Sequence, residues 1–192
     1  VHVTTQQVMD AMSPDAQGVL AVVAAAEVTG SEALATALDG ARLVAVLTQA
    51  QDPGNAGTII RAADAAGADA VVLVRGSVDP TAPKVVRSTA GSLFHLPVVT
   101  GVALDDAVAA LHEAGLTVLA ADGRGDFDLF EAESLLEAPS AWLLGNEAHG
   151  LPSEALSRAD AVVSIPIYGK AESLNVAAAA AVCLYASARA QA

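Results

Sequence analysis

The sequence predicts an α/β domain in which a mainly parallel sheet is flanked by helices. From residue 42 onward, short apolar runs alternate with helical patterns, which is typical of successive βαβ units. The apolar runs are continuous and do not alternate with polar residues, as expected for strands that are covered on both faces. Gly67 and Gly115 stand where helices are expected to end, because glycine readily adopts the left-handed conformation of a helix C-terminus.

Six strands and five helices are predicted in this part of the chain. The predicted strands are residues 43–48, 70–75, 96–99, 116–121, 141–144 and 161–166. The predicted helices are residues 58–66, 83–90, 103–114, 153–158 and 173–190. Upstream, the pattern predicts a helix at 5–12, a strand-like run at 18–24 and, after a polar stretch, a short helix that ends at Gly40.

The composition favours a large buried core. Apolar residues make up 54 % of the 192 residues and charged residues only 16 %, so disorder is not expected. No apolar run reaches the roughly 18 residues that a membrane span needs, and no signal-peptide pattern is present. The single cysteine, Cys183, stands in an apolar helical run and is expected to be buried. We therefore expect a cytoplasmic protein without a membrane contact.

The charge balance argues against a broad nucleic-acid-binding surface. Nine Lys and Arg residues stand against 22 Asp and Glu residues, a formal net charge of −13. Non-specific affinity for nucleic acid comes from neutralising phosphates, so RNA binding would need a local cluster of cations or a separate domain.

Three loops after predicted strands carry the chemically interesting residues: 52–61, 145–152 and 165–176. In open α/β sheets, ligands bind at the carboxyl ends of the strands. The glycine-rich and catalytic signatures of dinucleotide-binding proteins, P-loop NTPases, serine hydrolases and zincins are absent from the sequence. The four histidines are scattered, with His149 near Glu147 as one loose pair, so no metal site is predicted.

These three loops, in this order, resemble the motifs of the SpoU or TrmH branch of the SPOUT methyltransferases. Asn55, Gly57 and Arg61 match the first motif. The second motif is matched by Gly145, Asn146 and Glu147 with Gly150, and the third by Ser173, Leu174 and Asn175. The resemblance covers about residues 40–190 and includes segments around Lys84–Ser88 and Phe94–Pro97.

The resemblance implies a trefoil-knotted SPOUT fold and a homodimer that uses S-adenosylmethionine to methylate a ribose 2′-hydroxyl of RNA. We expect the substrate to be ribosomal RNA and not transfer RNA. Residues 1–26 look like the last portion of an N-terminal RNA-binding domain with a ribosomal-protein-like fold. Residues 27–40 are then a linker, and residues 41–192 the methyltransferase domain.

The resemblance also assigns roles to individual residues. The candidate catalytic residues are Arg61, Asn55, Glu147, Ser173 and Asn175. The candidate cofactor-binding residues are Leu144, Gly145, Asn146, Gly150, Ile165, Leu174 and Ala121. The candidate RNA-binding cations are Arg61, Lys84, Arg87, Arg124 and Lys170.

Plain structural roles are open for several of these residues. Ser173 and Asn55 stand where helix N-caps are expected, and Leu144, Ile165 and Leu174 are equally suited to the core. Deprotonating an arginine near neutral pH costs more than about 7 kcal/mol. A charged Arg61 that holds a phosphate and stabilises a developing alkoxide is therefore expected, and the general base is left unassigned.

Three other functions are compatible with parts of the sequence. A small-molecule enzyme of flavodoxin-like type would suit the acidity but leaves the three motifs unexplained. A transfer-RNA 2′-O-methyltransferase would share all three motifs. A non-catalytic RNA-binding or assembly protein of the same fold would not require intact Arg61, Glu147, Ser173 and Asn175.

Overall fold

A computed structural model describes residues 1–13, 16–23, 28–146 and 150–192. Seven strands form one sheet in the order β3-β2-β1-β6-β4-β7-β5, and every pairing is parallel. The strands are β1 Leu43–Leu47, β2 Ala70–Leu73, β3 Val98–Val99, β4 Thr117–Ala121, β5 Phe127–Asp128, β6 Ser140–Leu144 and β7 Ala161–Ser164. The helices are α1 Gln6–Met12, α2 Gly30–Ala37, α3 Pro53–Ala65, α4 Pro83–Ser88, α5 Leu104–Glu113, α6 Glu133–Glu137, α7 Ser153–Arg158 and α8 Val176–Ala190, with a short 3₁₀ helix at Ser92–Phe94.

The predicted α/β class with a parallel sheet flanked by helices is confirmed. All six predicted strands and all five predicted helices of this part exist, with ends that differ by a few residues. The prediction missed β5 and α6, which are two and five residues long. It was wrong at 18–24: in the described part, 18–23, Val19 and Val22 are exposed and no strand forms, because no neighbouring strand pairs with this segment.

The last two long strands are inserted between strands that precede them in the chain. β6 lies between β1 and β4, and β7 lies between β4 and β5. The register of β6 pairs Leu144 with Leu47 of β1, and Leu143 with Ala120 of β4. The insertion brings the carboxyl ends of β1, β6, β4 and β7 side by side.

Both faces of the sheet are covered, which accounts for the continuous apolar runs. In β1, Leu43, Ala45 and Leu47 belong to the apolar cluster that includes residues of α3 and α8. Val44 and Val46 belong to the cluster on the other face, with residues of α2, α5 and α7. Within the predicted linker, α2 contributes to this second cluster through Leu34, which is 1 % exposed.

Helix α8 is held to the central strand β6 and to the segment before it by one buried and one partly buried hydrogen bond. The buried Trp142 of β6 donates its indole N–H to Ser187 Oγ at 2.9 Å. Gln191, which follows α8, donates from Nε2 to the carbonyl of Ala138 at 2.8 Å. Cys183 is buried in the same helix, as predicted, and burial raises its pKa to about 12.

Helix ends follow the glycine signals in the sequence. Gly67 and Gly115 adopt positive φ values of 75° and 79° directly after α3 and α5, as predicted. Each helix closes with a pair of backbone hydrogen bonds, for example from Gly67 N to Asp64 O and from Ala68 N to Ala63 O. This pairing is the Schellman arrangement. Among the described residues, no helix is both long and apolar enough to cross a bilayer.

Candidate functional site

The three loops that carry the sequence motifs meet at one edge of the sheet. The first loop follows β1, the second follows β6 and the third follows β7. Because β1 and β6 are paired neighbours and β7 is separated from β6 only by β4, the loops leave the sheet next to one another. This edge is where a parallel α/β sheet binds its ligands.

The first loop enters α3 through a helix cap at a residue that was not among the predicted site residues. Asp52, not Asn55, is the N-cap: its Oδ1 accepts a hydrogen bond from the backbone N–H of Asn55 at 2.8 Å. Pro53 follows in the first helical position, where its fixed φ suits a helix. The side-chain amide of Asn55 is therefore not used as the cap and can bind another partner.

Gly57 serves the contact between α3 and α4. A Cβ atom at this position would overlap the Ser88 side chain and lie 2.8 Å from the carbonyl oxygen of Val85. Only glycine lets α4 approach this closely. The same contact holds Lys84 and Arg87, on α4, beside the helix that carries Arg61.

The second loop closes on itself by backbone contacts. Asn146 N donates to Gly150 O at 3.0 Å, and Gly150 N donates to Asn146 O at 2.8 Å. A Cβ at Gly145 would lie 2.5 Å from Leu151 N, whereas a Cβ at Gly150, where φ is +68°, would come no closer than 4.0 Å to a neighbouring atom, Asp122 Oδ2. Glycine is thus required at 145 by contact and at 150 by conformation. Glu147 and His149 lie outside the described residues.

The third loop ends in an asparagine that caps α8. Asn175 Oδ1 accepts from the backbone N–H groups of Ala177 and Ala178. Ser173, for which an N-cap was the structural alternative, is exposed and lies two residues before the cap, so that alternative is wrong. Asn175 was expected inside the first turn of the predicted helix 173–190. It instead precedes the helix, with a non-helical ψ of 142° that is typical of an N-cap.

The first and third loops are joined by their asparagines. Asn175 Nδ2 donates to Asn55 Oδ1 at 3.1 Å, across 120 positions of sequence. Each asparagine is fixed at the start of its own helix, so the hydrogen bond sets α3 and α8 relative to each other. Two of the residues predicted to be catalytic are therefore in direct contact.

The candidate RNA-binding cations differ in their surroundings. Arg61, Lys84 and Lys170 are exposed and form no ion pair with the residues that the structure describes. Arg87 is exposed as well. Arg124 pairs with Asp122 through Nε–Oδ1 at 3.0 Å and Nη2–Oδ2 at 3.2 Å, and these hydrogen bonds lower the pKa of the Asp122 carboxyl.

The apolar residues predicted to line a cofactor pocket are unequally accessible. Leu144 is 1 % exposed and belongs to the core. Ala121 and Ile165 are half-buried at the ends of β4 and β7, and Leu174 is 41 % exposed. The last three are the apolar surface that these loops offer to a ligand.

Two further residues build this edge of the sheet and were missed in the sequence. Thr48 donates from both its backbone N and its Oγ1 to Leu144 O, each at 2.9 Å, and this ties the ends of β1 and β6. Gln49 accepts a hydrogen bond from Asn146 Nδ2 on its carbonyl oxygen at 3.0 Å. No motif marks Gln49, whereas Asp before Pro-Gly was a usable signal for the Asp52 cap. Across the described residues no cluster of three metal-ligating side chains occurs.

Comparison with known proteins identifies the family. A family model described as the SpoU rRNA Methylase family matches residues 42–185. A 23S rRNA (guanosine(2553)-2′-O)-methyltransferase of Bacillus subtilis is 43 % identical over 157 residues, which cover 80 % of this chain and 59 % of that protein. The chain thus spans little more than half of this relative.

Solved structures give the same family. The SpoU methyltransferase AviRb from Streptomyces viridochromogenes, in complex with AdoMet, superposes with a TM-score of 0.70 at 38 % identity, covering 76 % of this chain and 59 % of that one. A second solved structure, which gives structural insights into the 2-OH methylation of C/U34 on tRNA, superposes with a TM-score of 0.66 at 33 % identity. The match covers 78 % of this chain and 95 % of that one. The fold is therefore that of the SPOUT methyltransferases, whereas the knot stays a prediction. The chain belongs to the SpoU rRNA methylase family.

Proposed function

We propose that the chain is the catalytic part of an S-adenosylmethionine-dependent RNA 2′-O-methyltransferase that acts on ribosomal RNA. The observation that supports this most directly is the Asn175–Asn55 hydrogen bond. It joins the first and third motif loops beside the second, at the sheet edge where a ligand is expected. The relative from Bacillus subtilis carries the corresponding activity in its name.

The loops fit the chemistry of S-adenosylmethionine. Its adenosine needs apolar walls together with polar groups that fix its orientation. Ile165 and Leu174 offer apolar surface, and the backbone groups of Gly145, Asn146 and Gly150 offer polar atoms in a geometry that requires glycine at 145 and 150. We propose that these residues and Ala121 hold the cofactor.

The chain's own contribution to the reaction is positioning and charge. S-adenosylmethionine, when bound, supplies an already activated methyl group. Arg61 is exposed on α3, and we propose that it holds a phosphate of the RNA and stabilises negative charge on the 2′-oxygen. Asn55 and Asn175 keep α3 and α8 in place, so that the hydroxyl is aligned before reaction. Glu147 and Ser173 remain proposed partners of the substrate.

The proposed partners are RNA and a second copy of the chain. The exposed rings of Phe94 and Tyr185 support a homodimer. They lie at the same end of α3, because Tyr185 Oη donates to Ala65 O and His95 Nδ1 contacts Asp64 Oδ2. A second copy would cover this apolar surface. The proposal implies action in the cytoplasm, where ribosomal RNA is accessible, and no membrane partner.

The test combines cofactor binding, association state and methyl transfer for this chain. Calorimetric titration should show binding of S-adenosylmethionine, and sedimentation should show a dimer. Transfer to ribosomal RNA should be detectable at low salt and poor at physiological salt, because few cations face the RNA and affinity falls steeply with salt. We propose that residues 1–26 are the remnant of the domain that supplies the missing contacts, and tight RNA binding at physiological salt would contradict that assignment.

Transfer RNA is the second candidate substrate. The structure described by tRNA methylation is covered over 95 % of its length by this chain, so a protein of this size can carry that activity. Mapping of 2′-O-methyl groups in ribosomal and transfer RNA after single-turnover reactions distinguishes the two. Cofactor binding without transfer to either RNA would favour a non-catalytic RNA-binding or assembly protein.

A further inference from the structure

Gln49 has a backbone conformation that its residue type disfavours. Its φ is +55°, in the left-handed region that is uncommon for residues other than glycine, asparagine and aspartate. Its side chain is exposed, so side-chain burial does not explain the conformation. Such strain persists only where surrounding contacts enforce it.

The contacts that enforce it connect the second motif loop to the start of the first. The Gln49 carbonyl accepts from Asn146 Nδ2 at 3.0 Å. The preceding residue, Thr48, is bound to Leu144 O through both its backbone N and its Oγ1. Gln49 thus follows the end of β1 at the point where the loop after β6 is attached.

On its other side, Gln49 leads into a segment bound to the loop after β2. Ala50 N donates to Ser77 Oγ at 3.2 Å, and Gln51 Nε2 donates to Gly76 O at 2.6 Å. Val78 N donates back to Ala50 O at 2.8 Å. The next residue, Asp52, caps α3 and so fixes the helix that carries Arg61.

We propose that Gln49 is a positioning residue that sets the cofactor loop against the RNA-facing elements α3 and α4. The inference rests on the proposed function. The left-handed turn at Gln49 directs its carbonyl to Asn146 and sends Ala50–Asp52 toward Ser77, so one backbone conformation serves both contacts. A chain that leaves this conformation loses the Asn146 contact on one side or the Ser77 contact on the other.

Three variants separate this role from ordinary loop stability. Gln49→Gly and Gln49→Val remove the same exposed side chain, but glycine accepts positive φ and valine resists it. Ala90→Val places the same residue at the second of the two non-glycine positions with positive φ in the described part of the chain, where φ is +50°. It therefore imposes a comparable strain away from the Gln49 contacts.

The measurements are calorimetric titration with S-adenosylmethionine and thermal unfolding of the same 192-residue samples. We expect Gln49→Val to weaken cofactor binding about tenfold, because the free loop relaxes and binding must restore the left-handed conformation. Gln49→Gly should retain wild-type affinity within about twofold. Ala90→Val should lower the melting temperature without changing the affinity.

The outcomes distinguish the inference from the proposed function. If the wild-type chain does not bind S-adenosylmethionine, the proposed function fails. If it binds, and Gln49→Val and Gln49→Gly have equal affinities, the positioning role is overturned. A melting temperature that falls for Gln49→Val with unchanged affinity also overturns it, since the turn is then only structural.

Discussion

Two segments of the chain that form the two halves of the sheet differ in net charge: one is nearly neutral and the other is strongly acidic. Residues 42–102, which contain β1 to β3 with α3 and α4, have five Lys and Arg and four Asp and Glu residues. Residues 103–160, which contain β4 to β6 with α5 to α7, have two Lys and Arg and twelve Asp and Glu residues. The formal charge of −13 is therefore concentrated away from α3 and α4, and it does not argue against RNA binding at those helices.

The arginines of the two parts are also used differently. In 103–160, Arg124 pairs with Asp122 and Arg158 pairs with Asp105. In 42–102, Arg61, Arg75 and Lys84 form no ion pair with the described residues. Unpaired, exposed cations are available to phosphates, whereas the paired arginines already have an anionic partner. The net charge of this domain thus does not indicate where its exposed, unpaired cations lie.

The largest effect is expected for Arg61→Ala. Removing this charge should lower single-turnover methyl transfer by about 10²- to 10³-fold, the loss typical of a group that stabilises transition-state charge. Cofactor affinity should stay within a few-fold, because the second and third loops are untouched. Arg158→Ala on the acidic side is the matched control and should leave both quantities unchanged. Unaltered turnover in Arg61→Ala would remove Arg61 from the proposed site.

The second loop follows β6, the strand that joins residues 42–102 to residues 103–160 in the sheet because it lies between β1 and β4. Its glycines test whether this loop binds the cofactor. Gly145→Ala should weaken cofactor binding at least about tenfold, because a Cβ there overlaps the backbone of Gly150 and Leu151. Gly150→Val should also weaken it, through the lost positive φ and not through a clash. Calorimetry on variants whose fold is verified by circular dichroism decides, and full affinity in both variants would contradict the cofactor assignment of this loop.

A smaller effect is expected on the salt dependence of RNA affinity, which should change for a cation in residues 42–102 but not for one in residues 103–160. Lys84→Gln should weaken RNA binding and reduce the slope of log affinity against log salt by about 0.7 to 0.9, the share of one phosphate contact. Arg158→Gln should leave the slope as it is. Filter binding at several salt concentrations gives both slopes. Equal slopes for the two variants would mean that α4 does not contact the RNA backbone.

The smallest effect concerns the Asp122–Arg124 pair. Hydrogen bonds from Arg124 lower the pKa of Asp122, so the ionised carboxylate stabilises the fold above its ordinary pKa, and this stabilisation is lost as pH falls through the lowered value. Asp122→Asn should therefore cost less than about 1 kcal/mol at pH 7, since Arg124 is exposed and the pair is screened. The difference from wild type should vanish in strong acid. Urea unfolding at pH 7 and below pH 3, followed by Trp142 fluorescence, measures it, and a constant difference would contradict the assignment.

The sequence predicts the sheet well because burial on both faces leaves a direct signal. The strands β1 and β2 are apolar throughout, and β4, β6 and β7 each have a single Ser or Thr at one end. Segments with helical spacing separate these strands in the sequence. The two-residue strand β5 gives no such signal, since Phe127 is exposed and its pairing depends on β7. The order of the strands cannot be predicted from local sequence patterns, because the position of β6 depends on its pairing with β1 and β4, which are distant in the sequence.

At the site, residue types were easier to predict than their local roles. The matched motifs pointed to Asn55 and Asn175, which the structure joins. Which residue caps each helix depends on where the backbone turns into the helix. The caps are Asp52 and Asn175, whereas Asn55 and Ser173 were the expected candidates. Gln49 could not be found, because its contribution is a backbone conformation and a carbonyl oxygen that every residue type possesses.

The central position of β6 has a consequence for the synthesis of the protein. Strands β1 and β4 leave the ribosome before residues 140–144, so their facing edges have no partner until β6 arrives. Open edges of apolar strands pair readily with other chains, and pairing between distant segments is slow. From the emergence of Ala121 until residues 140–144 emerge, the nascent chain thus carries two facing strand edges that can pair with other chains. We expect faster translation of residues 122–144, or a chaperone that covers the open edges, to raise the yield of folded protein without changing any contact of the native state.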